Sequence, residues 1–224
     1  MLVIGVDIGS VKAPSKFAWA AVDSEGRAPV SSGDDPETAV QALLNALTGT
    51  GTETGRAVLA VEAPLSVPVP EPSGDEWRGL GRARTGEGNR PWSAGAGSGA
   101  LATGIAQTAW MLSRLHTLAP HVTVTTQPER FAAGQARLLL VEAFVSGAGK
   151  PEPGAAGPHA ADAEAAARAT LACLADGTNH SPRVACAPRR ALNLLAALAS
   201  WAGTPVPPDE LHLEVLVIRT RPAS

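Results

Sequence analysis

Three acids each break an apolar run near its carboxyl end: Asp7 in Val-Ile-Gly-Val-Asp-Ile-Gly, Glu62 in Ala-Val-Glu-Ala-Pro-Leu and Glu142 in Leu-Val-Glu-Ala-Phe. An ionised carboxylate in a low dielectric is costly unless it is paired or metal-bound, and several close together repel one another. No Lys or Arg stands next to any of the three in the sequence, so a cation is the expected partner. His159-Ala-Ala-Asp162 adds two more polar groups, and their i,i+3 spacing puts both on one face of a helix. Carboxylate oxygens suit Mg2+ or Mn2+, and two such ions about 4 Å apart activate a water and stabilise the leaving oxygen in phosphodiester hydrolysis. The expected metal ligands are Asp7, Glu62, Glu142 and Asp162, with Asp7, Glu62, Asp162 and His159 as the catalytic set. Plainer readings stand beside these: a second role for Glu142 is structural, and polar residues also favour the amino end of a helix.

The elements that would position these groups follow an α/β order. Residues 2–8 and 17–22 read as two strands of a hairpin with a long first turn, and a third short strand is expected near 27–30. Asp34-Asp35-Pro36-Glu37 offers a cap, a first-turn proline and a first-turn acid, predicting a helix over 36–48. Residues 57–62 form a strand apolar enough to be buried on both faces. Residues 64–100 are a Pro/Gly/Arg-rich insertion, too long for an ordinary connection. Helical periodicity covers 101–118, and strands are expected at 121–126 and 138–144. Helices at 159–175 and 189–201 and an alternating strand at 211–220 complete the chain. Open α/β sheets collect ligands at the carboxyl ends of their strands, where Asp7, Glu62 and Glu142 all fall.

These motifs, Asp7 with its following strand, Glu62-Ala-Pro-Leu and His159-Ala-Ala-Asp162-Ala, resemble the ribonuclease H-like superfamily, especially RuvC-type resolvases and the predicted-nuclease family DUF429. The resemblance covers about residues 1–176. It implies a ribonuclease H-like mixed sheet flanked by helices, with the remaining 188–220 as an added helix and strand, all within one domain over 1–224. It also implies that Asp7 is the first-strand acid, Glu62 the fourth-strand acid and Asp162 the last-helix acid, with His159 at the resolvase-like position. Glu142 is similar to a strand acid of the predicted-nuclease family, which also carries arginines after its Ala-Pro-Leu motif. The family more often has Asp where Glu62 stands, and the stretch after Gly9 is longer here than its pattern.

Composition narrows the remaining choices. A net charge of −3 builds no general attraction for nucleic acid into the surface, so any such contact is local. The best local patch is Trp77-Arg78-Gly-Leu-Gly-Arg82-Ala-Arg84 with Arg90 and Trp92, with Arg84 and Arg90 as the candidate phosphate contacts. Gly95-Ala-Gly97-Ser-Gly99 has the composition of an anion-binding nest but no P-loop lysine, and reads more simply as a hinge. Glu164 and Arg168 read as a solvent-facing i,i+4 pair. Cys173 and Cys186 fit no zinc spacing or disulfide framework, no apolar stretch suits a membrane, and a reducing cytoplasm is expected. Two other functions fit parts of the sequence. Val-Asp7-Ile-Gly-Ser also resembles the first phosphate loop of the actin and sugar-kinase superfamily of ATP-binding phosphotransferases, although no second such turn occurs. A non-catalytic scaffold is the other, with residues 192–218 as a homo-oligomer interface.

Overall fold

The computed structural model describes residues 1–9, 16–24, 29–49, 55–87, 92–145, 149–153, 157–176 and 190–220. Strands β1 (Leu2–Ile8), β2 (Phe17–Asp23) and β3 (Pro29–Gly33) form an antiparallel meander. Helix α1 (Pro36–Thr48) follows, and the Asp35 carboxylate caps it by accepting the Thr38 backbone N–H at 2.9 Å. Strand β4 (Ala57–Val61) then pairs parallel with β1, and β7 (Leu138–Phe144) pairs parallel with β4. The far edge of β7 is shared. β6 (Val124–Thr125) lies beside Leu138–Leu139, and β9 (Val217–Arg219) lies beside Glu142–Phe144. The result is one seven-stranded mixed sheet, β3-β2-β1-β4-β7-β6, with β9 joined to β7.

Side-chain alternation along the strands sorts the core into two layers. Ile4, Val6, Ile8, Leu59, Val61, Leu138 and Leu140 belong with α1, α2 (Gly95–Leu118) and α5 (Leu194–Trp201). Val3, Val58, Ala60, Leu139 and Val141 face α4 (Pro158–Ala175) and Phe131 of the short α3 (Pro128–Ala132). A two-stranded ribbon, β5 (Ser66–Pro68) with β8 (Ala191–Asn193), lies outside the main sheet.

Several boundaries differ from expectation. α2 starts at Gly95 and not at 101, β6 spans two residues of the expected six, and only Val217–Arg219 of the last strand is extended. The helix expected at 189–201 begins at Leu194, because Ala191–Asn193 pairs with β5 and the Asn193 side chain then caps α5 by accepting from the Ala196 N–H at 2.9 Å. The C-terminal segment is integral to the core. Leu195 and Ala199 are fully buried, and Glu210, also fully buried, accepts from Thr125 Oγ1 at 2.6 Å, Thr126 N at 2.7 Å, Thr126 Oγ1 at 2.8 Å and Arg130 at 3.0 Å. Trp201 of that segment remains exposed. Among the described residues no helix is long and apolar enough to cross a membrane.

A candidate metal centre of three carboxylates

Asp7 shares a face with Val3 and Gly5 on β1, turned toward α4. Glu62 directly follows β4 and continues the face of Val58 and Ala60, with its backbone N–H donating to Val6 O at 2.9 Å. Asp162 comes from the other layer, on α4, which packs across β1 and β2. That crossing is unusually close because Gly5 has no side chain. A Cβ there would stand 2.1 Å from the Ala163 carbonyl oxygen and 2.8 Å from the Ala167 nitrogen, so helix backbone lies directly on strand backbone. Ala18, Ala20 and Ala163 keep the neighbouring contact equally thin. Asp7, Glu62 and Asp162 consequently present oxygens all within 4.8 Å of one another.

Two side chains only partly answer this charge. His159 Nδ1 is 2.6 Å from Asp7 Oδ2, and Lys150 Nζ is 2.5 Å from Asp162 Oδ2. Among the described residues, one ammonium and one imidazole face three carboxylates. Glu62 Oε2 is buried and meets no hydrogen-bond partner among the described residues. Burial pushes the Glu62 carboxyl well above the usual carboxylate range, and the charges of Asp7 and Asp162 push it further, against Lys150 and a hydrogen bond from the Val145 backbone. Burial also raises Asp7, opposed by its hydrogen bond to His159. An orphaned oxygen inside an acidic, oxygen-only donor set is what a hard divalent cation satisfies, so these residues fit such a cation.

Glu142 and Arg84, expected as a metal ligand and a phosphate contact, are instead placed against each other. Glu142 shares the strand parity of Leu138 and Leu140, so its side chain leaves β7 on the face opposite that of Asp7 and Glu62. There it meets Arg84 in a two-pronged ion pair, NH1 to Oε2 at 2.8 Å and NH2 to Oε1 at 2.6 Å, and accepts the Ser66 N–H at 3.2 Å. Arg84 also contacts Glu87 at 3.1 Å, and the side chains of all three charged residues have no exposed surface. A guanidinium so enclosed cannot reach a phosphate in solvent; it fastens the chain around Ser66 and Glu87 to β7. Arg90 lies outside the described residues. Arg78 and Trp77 are exposed and stack, 5.4 Å from guanidinium to ring, with Asp75 3.7 Å from Arg78. Glu164 and Arg168 pair at 2.7 Å across a helical turn.

Sequence reasoning missed Lys150, which stands 12 residues before Asp162 in a loop without periodicity. Its only signal is rarity, as one of three lysines in a chain that otherwise uses arginine. No family model matches this chain, and no curated protein or solved structure matches it.

Proposed function

We propose that the chain is a metal-dependent phosphodiesterase, most directly a nuclease, working from the Asp7, Glu62 and Asp162 site. The observation that carries this reading is the meeting of three acids from three separate elements around an unpartnered, buried Glu62 oxygen. Bound there, Mg2+ or Mn2+ would neutralise charge on a phosphodiester and activate the attacking water. The protein's own groups divide the remaining work. Asp7, Glu62 and Asp162 would hold the ion; Lys150 fixes the orientation of Asp162; His159, tied to Asp7 through Nδ1, leaves Nε2 as the ring nitrogen able to move a proton. The α/β arrangement, with acids on the first strand, after the fourth and on a late helix, supports the ribonuclease H-like resemblance and a nucleic acid or nucleotide-like substrate. The alternative ATP-binding reading rests on Val6-Asp7-Ile8-Gly9-Ser10 at the end of β1, of which Ser10 lies outside the described residues.

Calorimetric titration with manganese tests the site first. Wild type should bind, and Asp7→Asn and Asp162→Asn should lose at least tenfold in affinity while remaining folded by circular dichroism. Cleavage of labelled DNA, RNA and dinucleotides in Mn2+ then names the substrate. Equal manganese binding by all three proteins would refute the assignment.

A further inference from the structure

We infer that the site takes one divalent ion and not a pair, because Lys150 holds the place and charge of a second; this rests on the metal-centre reading and deepens it. Hydrogen bonding splits each carboxylate into an engaged and an open oxygen. His159 Nδ1 engages Asp7 Oδ2 at 2.6 Å and Lys150 Nζ engages Asp162 Oδ2 at 2.5 Å. Glu62 accepts the Val145 backbone N–H through the oxygen other than Oε2. Among the described residues this leaves Asp7 Oδ1, Glu62 Oε2 and Asp162 Oδ1 without a hydrogen bond, one oxygen from each acid. Three oxygens, one per residue, suit a single six-coordinate ion that keeps its other positions for water and a substrate oxygen. A second ion beside it would need an aspartate oxygen already engaged by Lys150 or His159.

The charges give the same count. Three carboxylates against one ammonium leave a double negative charge, which one divalent ion cancels. A second ion would stand in excess beside a fixed cation, and a protonated His159 would only add to that excess. Lys150 is fixed by more than its bond to Asp162. A Cβ on Gly149, the residue before it, would stand 2.4 Å from the Thr220 carbonyl oxygen, and the Thr220 hydroxyl donates to the Gly149 oxygen at 2.8 Å. The Thr220 N–H in turn donates to Phe144 O at 3.1 Å, at the end of β7. The backbone that carries Lys150 is therefore pinned to the residue that follows β9, and its ammonium reaches buried Asp162 from a side chain that stays partly exposed. Of its three N–H donors one is spent on Asp162, and the others meet no acceptor among the described residues. They remain for the ester oxygen that a second ion would otherwise hold.

The test counts manganese on the full chain by calorimetry and by electron paramagnetic resonance, which distinguishes an isolated ion from a coupled pair. The ions that count are those lost in Asp7→Asn. Wild type should bind one ion with the spectrum of an isolated one, and Lys150→Arg should do the same. Lys150→Met keeps the stem and removes the charge, and at saturation it should hold two ions per chain with the spectrum of a coupled pair. Lys150→Gln takes its place if the Met variant does not fold. Two ions on wild type would overturn the inference and leave the metal centre standing. One ion on wild type and still one on the neutral variant would overturn the part assigned to Lys150. Absence of manganese binding in wild type would overturn the metal centre, and this inference with it.

Discussion

Replacing Glu62 with Gln should make the metal-free protein more stable while abolishing its response to metal. The Glu62 carboxylate lies within 4.8 Å of oxygens from both Asp7 and Asp162. At that separation and an effective dielectric of about 20, each ionised pair repels by about 3.5 kcal/mol. Lys150 and His159 offset part of this, so removing one charge should stabilise the apo fold by on the order of 1–3 kcal/mol, or roughly 2–12 °C in Tm for a chain of this size. The new amide also brings a donor that either aspartate can accept. The pH dependence has a definite sign. Glu62 and Asp7 hold protons in the folded state that the unfolded chain has already released, since both carboxyls are raised. Apo wild type therefore loses stability as pH climbs from the ordinary carboxylate range through the raised folded values, and the Gln variant should show a flatter profile. Thermal unfolding in EDTA across pH 4–8 reads this directly. Manganese at about 100 times Kd should then add about 2.7 kcal/mol to wild type and little to the variant. A Gln variant that melts below wild type without metal, or gains as much from manganese, would refute the reasoning.

Gly5→Ala should displace α4, because the added carbon would overlap the Ala163 carbonyl oxygen. Asp162 would move from Asp7, so manganese affinity should fall by at least tenfold in calorimetry although no ligand has been altered, with a stability loss of about 2 kcal/mol or more in urea. Arg84→Met should destabilise by about 3–5 kcal/mol by stranding buried Glu142, and adding Glu142→Leu should restore much of that loss. Both Arg84 variants should bind manganese as wild type does, which a direct metal role for Glu142 would not permit.

The hydrophobic pattern made β1, α1 and β7 legible to within a residue, since each is a long, strongly apolar or well-capped segment. Asp7 and Glu62 were legible as well, because an acid at the end of an apolar strand has few inexpensive explanations, and Asp162 was legible from its i,i+3 spacing with His159 on one helix face. Glu142 shows where the same rule needs a second one. It satisfies the carboxyl-end criterion, but strand parity sends it to the other face, and counting from Leu138 and Leu140 would have shown this. Arg84 and Lys150 find their partners 58 and 12 residues away through loops, and no local spacing encodes such pairings. The start of α2 was hidden because Gly-Ala-Gly-Ser-Gly has low helix propensity, which tertiary packing overrides. β8 was taken for helix because its three residues are extended only by virtue of pairing with β5.

The placement of β9 bears on the order in which the molecule is completed during translation. Val217 pairs with Glu142, and the Glu142 N–H donates to Leu216 O at 3.1 Å, although the two strands are separated by about 75 residues of chain. At ribosomal speeds of about 5–20 residues per second, that interval lasts roughly 4–15 s. Throughout it, the carboxyl half of β7 has an unpaired edge of the kind that recruits strands from other nascent chains. All three acids of the metal centre have been synthesised by the time α4 emerges, so a cation can find its ligands on a sheet whose border is still open. The vulnerable stage is therefore the interval between the synthesis of α4 and that of β9, after the three carboxylates have met and before β9 covers the open edge.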